Sequence, residues 1–256
     1  MKKILAILLV LVLALLIVAC GTDPVESEKE TDPADVQTQI ETDGETDPVV
    51  VDPAAKSEGV MTYAEYAAAE LKAEVVIEAY VQATQSWWDN KITVYLQDSD
   101  GAYFAYEMAC PEADAAKLVK GAKIRVTGYK AEWAGEVEIT DCSFELLEGN
   151  WVAEPTDVTE LLGTDELIKH QNKLVFFNDM TVEKIEYKNG EPGDDIYVTV
   201  AKDGASYSFC VERYLTGPET DLYKAVGELK AGDVVDVTGF LYWYNGVNTH
   251  ITAIAK

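Results

Sequence analysis

Histidine and the usual catalytic motifs are scarce in this sequence. The chain has 256 residues but only two histidines, His170 and His250. It contains no Ser/His/Asp set, Cys/His pair, phosphate-binding loop or zinc-ligand spacing. These absences argue against most enzymes and metal sites, so the sequence predicts a protein that is not an enzyme and uses no metal and no cofactor. Carboxylates are abundant, and a hydrolase built on a carboxylate pair stays an alternative.

Positive charge is also in short supply. Lysine and arginine together number 20 against 46 aspartates and glutamates, which gives a formal net charge of −26. Such a surface repels phosphate backbones and anionic lipid headgroups, and no region of the chain carries a cluster of lysines and arginines. We therefore expect nucleic acid to be a disfavoured partner. Single-stranded nucleic acid bound at the cell surface remains the alternative.

Cysteine is too rare for a disulfide framework. The four cysteines are Cys20, Cys110, Cys142 and Cys210, and the last three form an odd set. Cys110 and Cys142 fall in one segment and could pair under oxidising conditions. Burial of all three as small apolar side chains is the favoured interpretation.

The first twenty residues have the pattern of an export signal. Two lysines precede an apolar run from Ile4 to Ala19, which is short for a membrane span of about 20 residues. Ile17-Val-Ala-Cys20 resembles the lipobox of bacterial lipoproteins. The resemblance implies a signal peptide over 1–19, a lipidated Cys20, and a protein anchored by lipid to the extracytoplasmic face of the cell membrane. An ordinary secretory signal with an incidental cysteine is the alternative.

Residues 20–58 have the composition of a spacer. The segment is acidic and poor in aromatics, and Thr-Asp-Pro recurs at 22–24, 31–33 and 46–48. It cannot bury enough apolar surface to offset its ordering entropy. We expect a disordered acidic linker that makes no contact with the folded part.

The rest of the chain contains one module twice. Residues 92–106 (ITVYLQDSDGAYFAY) align with 196–209 (IYVTVAKDGASYSF), and 120–129 (KGAKIRVTGY) align with 231–240 (AGDVVDVTGF). Alternating residues predict strands. Pro111 and Pro218 begin helical stretches between the third and fourth strands, and Thr62-x-x-Glu65 is a capping box for an additional helix.

The order strand, strand, strand, helix, strand, strand resembles the OB-fold, a five-stranded Greek-key barrel, and specifically its bacterial tRNA-anti-like form. The resemblance implies an all-β protein with short helices, in which tandem OB-fold domains occupy 59–149 and 165–256 on either side of a linker at 150–164. OB barrels bind nucleic acids, sugars or proteins, so the fold does not choose a ligand.

Aromatic residues mark the candidate ligand site. OB ligands usually cross the sheet between the loop joining strands one and two and the loop joining strands four and five. We predict that ligand-binding residues lie in these loops and on the strands between them: Trp87, Trp88, Trp133, Tyr95, Tyr103, Tyr106 and Trp243. Burial of these rings in the barrel cores is the competing interpretation.

The charges near these aromatics favour an uncharged ligand. Lys91, Arg125 and Lys130 accompany Glu132, Glu136 and Glu138, a poor balance for a phosphate track. The sequence therefore predicts a binding or adaptor module for a neutral glycan or a protein partner. The carboxylates at 98–101 and 191–195 lack the spacing of a complete calcium site, and we assign them to turns.

Overall fold

The computed structural model describes residues 52–256, which lie in one compact unit. The predicted signal peptide, Cys20 and most of the predicted spacer lie outside the described residues. A short helix, α1 (Tyr63–Ala68), begins the folded part, and its capping box is formed as predicted: the Glu65 N–H donates to Thr62 Oγ1 and the Thr62 N–H donates to the Glu65 carboxylate. Among these residues no helix is long and apolar enough to cross a lipid bilayer.

The first barrel is a closed five-stranded sheet with the spatial order β1-β2-β3-β5-β4. Its elements are β1 (Glu74–Thr84), β2 (Lys91–Gln97), β3 (Ala102–Ala109), α2 (Glu112–Ala115), β4 (Ala122–Trp133) and β5 (Glu136–Asn150). The helix lies between the third and fourth strands, as the sequence predicts. Apolar side chains that alternate along the strands fill the interior, including Ile77, Leu96 and Val126.

The second barrel repeats this order. It comprises β6 (Thr156–Asp157), β7 (Leu174–Tyr187), β8 (Ile196–Lys202), β9 (Ala205–Val211), α3 (Asp221–Gly227), β10 (Val234–Phe240) and β11 (His250–Ala255). The order β7-β8-β9-β11-β10 matches the first barrel, and pairing of β10 with β7 closes the sheet. The predicted tandem OB-fold architecture is therefore confirmed.

Two predicted boundaries differ from the structure. Lys56 forms a buried ion pair with Asp98, and the Ser57 N–H donates to Glu78 at 3.3 Å, so the spacer contacts the first barrel before residue 58. Residues 150–164 are packed as well: β6 pairs with β7 of the second barrel. The buried carboxylates of Glu78 and Asp98 hold the first segment, and pairing with β7 together with burial of Val158 holds the second.

The cysteines follow the favoured interpretation. Cys110, Cys142 and Cys210 are all buried and free. Burial raises the pKa of Cys110, and it raises the pKa of Cys142 to about 12. These thiols therefore behave as small apolar core residues.

Candidate ligand-binding groove

An open groove of about 1410 Å³ is lined by both barrels. The first barrel contributes Thr93 from β2 with Phe104 and Tyr106 from β3, and the second contributes Tyr197 from β8 and Ser208 from β9. In each barrel these are the second and third strands of the OB-fold, the surface that usually carries its ligands.

Exposed aromatic rings are concentrated around the groove. Five rings that line it are between 42% and 71% exposed: Trp88, Tyr106, Trp133, Tyr214 and Tyr244. Exposed apolar rings that are grouped together and rimmed by polar residues are typical of a binding site. Three of the five, Trp88, Trp133 and Tyr106, are among the residues that the sequence predicts to bind ligand.

A tight hairpin turn exposes Trp88. Asp89 and Asn90 both have positive φ, at 48° and 60°, and Trp88 exchanges backbone hydrogen bonds with Lys91. This is a two-residue turn of the type that Asp and Asn favour. The ring of Trp87 is half-buried, and its Nε1–H donates to the Cys110 carbonyl at 2.8 Å. Trp87 is therefore held in place by a hydrogen bond, whereas the ring of the adjacent Trp88 is exposed.

The other exposed tryptophan meets the second barrel. Trp133 ends β4, and its ring lies 5.0 Å from that of Tyr244, centroid to centroid, at 35°. Beside them the Asn245 N–H donates to the Ala134 carbonyl at 2.7 Å. Trp133 and Tyr244 both lie five residues after the shared Thr-Gly of the aligned segments, so equivalent hairpins of the two modules contact each other.

Three of the predicted ligand-binding rings do not face the groove. Tyr95 and Tyr103 are fully buried, which contradicts their assignment to a ligand surface. Tyr103 points into the core of the first barrel and donates to Asp98 at 3.1 Å. Trp243 is half-buried and packs against the core of the second barrel. Its ring also lies close to Gly135 of the first barrel.

Tyr95 lies instead at the junction between the barrels. Its ring stacks on Phe240 at 4.4 Å, and its hydroxyl lies 2.6 Å from Nδ1 of His250. Burial lowers the pKa of His250 to about 3 and raises that of Tyr95 well above its usual value. The imidazole is therefore neutral, and a hydrogen bond joins its Nδ1 to the Tyr95 hydroxyl across the junction.

A buried carboxyl group also joins the barrels. Glu136 is fully buried, and its Oε2 accepts from the Trp243 N–H at 2.8 Å and from Nε2 of Gln171 at 3.3 Å. Its Oε1 has no hydrogen-bond partner among the described residues. Burial raises the pKa of Glu136 to about 8, so the group is largely protonated at neutral pH.

The cations of the groove have carboxylate neighbours. Lys91 pairs with Glu107 at 2.7 Å, Lys188 pairs with Asp195 at 2.8 Å, and Arg213 lies 4.0 Å from Asp194. Glu186 and Glu212 also line the groove, and burial raises the pKa of Glu212. The groove therefore offers no excess of positive charge.

The other basic residues considered in the sequence are used structurally. Arg125 binds the buried Glu78 at 2.8 Å. The buried Lys130 ammonium donates to the Tyr66, Ala67 and Ala69 carbonyls, which lie at the end of α1. Their contacts explain why neither residue lines the groove.

The acidic loop at 98–101 is a hydrogen-bonded turn. Asp98 accepts hydrogen bonds from the N–H groups of Asp100 and Gly101. Within residues 52–256, no group of three or more His, Cys, Asp or Glu side chains is arranged to hold a metal ion.

Of the exposed groove rings, the sequence prediction missed Tyr244, which adjoins the predicted Trp243, and Tyr214. The Tyr214 carbonyl accepts from the Ser86 N–H at 2.7 Å, which brings it beside the loop that carries Trp88. Tyr214 follows the third strand of its module, outside the two loops that usually bind OB ligands, and contacts a residue 128 positions away. No local pattern signals that contact.

Comparisons with known proteins give distant similarity only. No family model and no curated protein matches the chain. A murine DNA-binding protein solved with double-stranded DNA is 12% identical, with 71% of this chain and 97% of that chain covered and a TM-score of 0.35. The HINa domain of Ifi202, solved with 20-bp double-stranded DNA, is 10% identical, with 72% and 98% covered and a TM-score of 0.33. A replication protein A heterotrimer bound to single-stranded DNA is 15% identical, with 77% and 52% covered and a TM-score of 0.31. The DNA in each case is the ligand of that protein.

Proposed function

We propose that this protein is a non-catalytic binding module whose inter-barrel groove holds a neutral glycan. The observation that carries the proposal is the set of five exposed aromatic rings around a groove whose cations have carboxylate neighbours. Flat rings bury the apolar faces of sugars, and hydroxyl and amide groups such as those of Thr199, Ser208 and Asn245, which line the groove, suit sugar hydroxyls.

The charge of the groove decides between ligand classes. A phosphate chain would have to displace Glu107 and Asp195 from their lysines and approach a chain of net charge −26. A neutral ligand leaves these ion pairs intact. A protein partner that binds the aromatic rings is the other class of ligand predicted from the sequence. Competition with a glycan shows whether such a partner occupies the same groove.

Single-stranded nucleic acid is the second candidate. The favouring observation is that Lys91, Lys188 and Arg213 line the same groove as the exposed rings, because base stacking on aromatics combined with cations is how many proteins hold single strands. Its affinity would fall steeply with salt, whereas that of a neutral glycan would not.

The location of the protein is part of the proposal. We propose that lipid on Cys20 anchors the chain to the extracytoplasmic face of the cell membrane, with the groove presented to extracellular ligands. Expression in cells grown with labelled palmitate tests this proposal. We expect the natural protein to carry the label and the Cys20→Ser variant to carry none. Equal labelling of the two proteins, or no labelling of either, would refute the anchor.

Calorimetric titration of the full chain tests the function. The probes are maltohexaose, cellohexaose, chitohexaose and a dT12 oligonucleotide, each at low and high salt. We expect at least one hexasaccharide to bind with little salt dependence. The Trp88→Ala/Trp133→Ala double variant should bind at least about tenfold more weakly, because it loses two exposed rings of the groove. A tenfold change corresponds to about 1.4 kcal/mol.

Tyr129→Ala is the matched control, because Tyr129 is 46% exposed on the first barrel but does not line the groove. It should leave the affinity unchanged. If dT12 binds in a salt-sensitive way and no hexasaccharide binds, the ligand is a nucleic acid and the glycan proposal is wrong. If the tryptophan double variant binds the hexasaccharide as tightly as the natural protein, the groove is not the binding site.

A further inference from the structure

The groove is built from equivalent surfaces of the two modules. Thr93 and Tyr106 lie on the second and third strands of the first barrel, and Thr199 and Ser208 lie on the corresponding strands of the second. A single OB barrel normally binds its ligand on this surface alone. Here the two surfaces line one continuous space.

The junction fixes the two surfaces relative to each other. Beside the Tyr95–Phe240 stack, Tyr242 stacks on His250 at 4.2 Å and meets Phe104 edge-on at 5.4 Å. Backbone groups of one barrel bond buried side chains of the other: the Leu174 N–H donates to Gln97 at 2.8 Å, and Asn172 donates to the Val137 carbonyl at 3.1 Å. Buried bonds of this kind are costly to break, so the groove is preformed.

Both modules contribute exposed rings to the groove. Trp133 of the first barrel contacts Tyr244 of the second. Trp88 of the first barrel and Tyr214 of the second line the same groove, and the Ser86 N–H donates to the Tyr214 carbonyl near them. A ligand in the groove can therefore meet exposed rings of both barrels.

From these contacts we infer that the ligand is a linear neutral oligosaccharide that contacts both barrels at once. The inference rests on the proposed function and narrows its ligand to a chain of several sugar units. The groove volume of about 1410 Å³ exceeds the roughly 300–1,000 Å³ of pockets that enclose one small molecule. A monosaccharide is too small to fill this groove, whereas a chain can contact exposed rings of both barrels.

A ladder of oligosaccharides tests this inference. The full chain is titrated with glucose and with malto-, cello- and chito-oligosaccharides of two to eight units. We expect affinity to rise at least about a hundredfold between the disaccharide and the plateau length, as the exposed rings of both barrels are engaged. Tyr214→Ala and Tyr244→Ala, both in the second barrel, should each weaken binding of the plateau-length chain about tenfold. Tyr129→Ala should not.

The results separate this inference from the function on which it rests. The two-barrel site is refuted if disaccharides bind as tightly as longer chains and if Tyr214→Ala and Tyr244→Ala change affinity less than twofold. If Trp88→Ala still weakens binding in that case, the first barrel binds glycan alone. If no oligosaccharide of any length binds, the proposed function fails and the inference falls with it. Length-dependent affinity lost on substitution in either barrel supports the inference.

Discussion

The Glu136 carboxyl group accepts hydrogen bonds across the junction between the barrels, and its burial disfavours the ionised form. Burial raises its pKa from 4.5 to about 8 in the folded protein. Between these pH values the unfolded chain is ionised and the folded protein is protonated, so folding takes up a proton. The contribution of Glu136 to stability is therefore fully present below pH 4.5 and is lost as pH rises to about 8.

Glu136→Gln should remove this pH dependence, because an amide is neutral throughout and still accepts from the Trp243 N–H. We expect the variant and the natural protein to have similar unfolding free energies at pH 4.5. At pH 9 the variant should be more stable, by roughly 1.4 kcal/mol for each unit of pKa shift. Urea unfolding at both pH values measures the difference. Glu132→Gln, at an exposed position on the same hairpin, is the control, and parallel stability curves for all three proteins would contradict the prediction.

Tyr95 and Tyr103 show what residue patterns could and could not reveal. Tyr103 and Tyr106 are separated by three positions, so a period-two strand places them on opposite faces. This signal was available in the sequence and excludes a shared ligand surface. Tyr95 does lie on the outer face of its strand, but Phe240 and His250 cover it. Those residues lie about 150 positions away, and strand periodicity carries no information on such contacts.

At the scale of elements, the repeated Thr-Gly of β4 and β10 has a packing cause. A Cβ at Gly128 would collide with Cys142 and the Thr140 carbonyl, and one at Gly239 would collide with the His250 carbonyl. Both glycines lie where pairing with the following strand shifts register. The strands approach closely at these bulges, and glycine permits the bend that closes each barrel.

Gly239→Ala should therefore destabilise the second barrel by about 1–3 kcal/mol, the usual cost of overpacking. Gly217→Ala is the matched control, since no atom lies within 4 Å of a Cβ there, and it should be neutral or slightly stabilising. Chemical unfolding of the two variants measures both effects. Equal stability of the two variants would show that β10 can move away from β11 at little cost.

Much of the element order could be predicted from the sequence because each signal was local. Alternation gave the strands, Thr62 and Glu65 gave the start of α1, and the aligned segments gave the second barrel. The packing of β6 against β7 could not be predicted, because Thr156 and Asp157 are too few to show a strand period. Their order comes from pairing with β7.

At the scale of the whole molecule, the junction should make the barrels unfold together. It contains the Tyr95–Phe240 stack, the Tyr95–His250 hydrogen bond and the bonds of Glu136. We expect circular dichroism and tryptophan fluorescence to give one coincident urea transition, the mark of two-state unfolding. Phe240→Ala should weaken the coupling and separate the transitions. Two transitions in the unaltered protein would mean that the barrels are independent.

Buried thiols make the described fold indifferent to redox conditions. Cys110, Cys142 and Cys210 are unpaired and shielded from solvent, so reductants have no cross-link among residues 52–256 to cleave, and oxidants reach no exposed thiolate there. Packing and hydrogen bonds, rather than disulfide cross-links, therefore hold the two described barrels together.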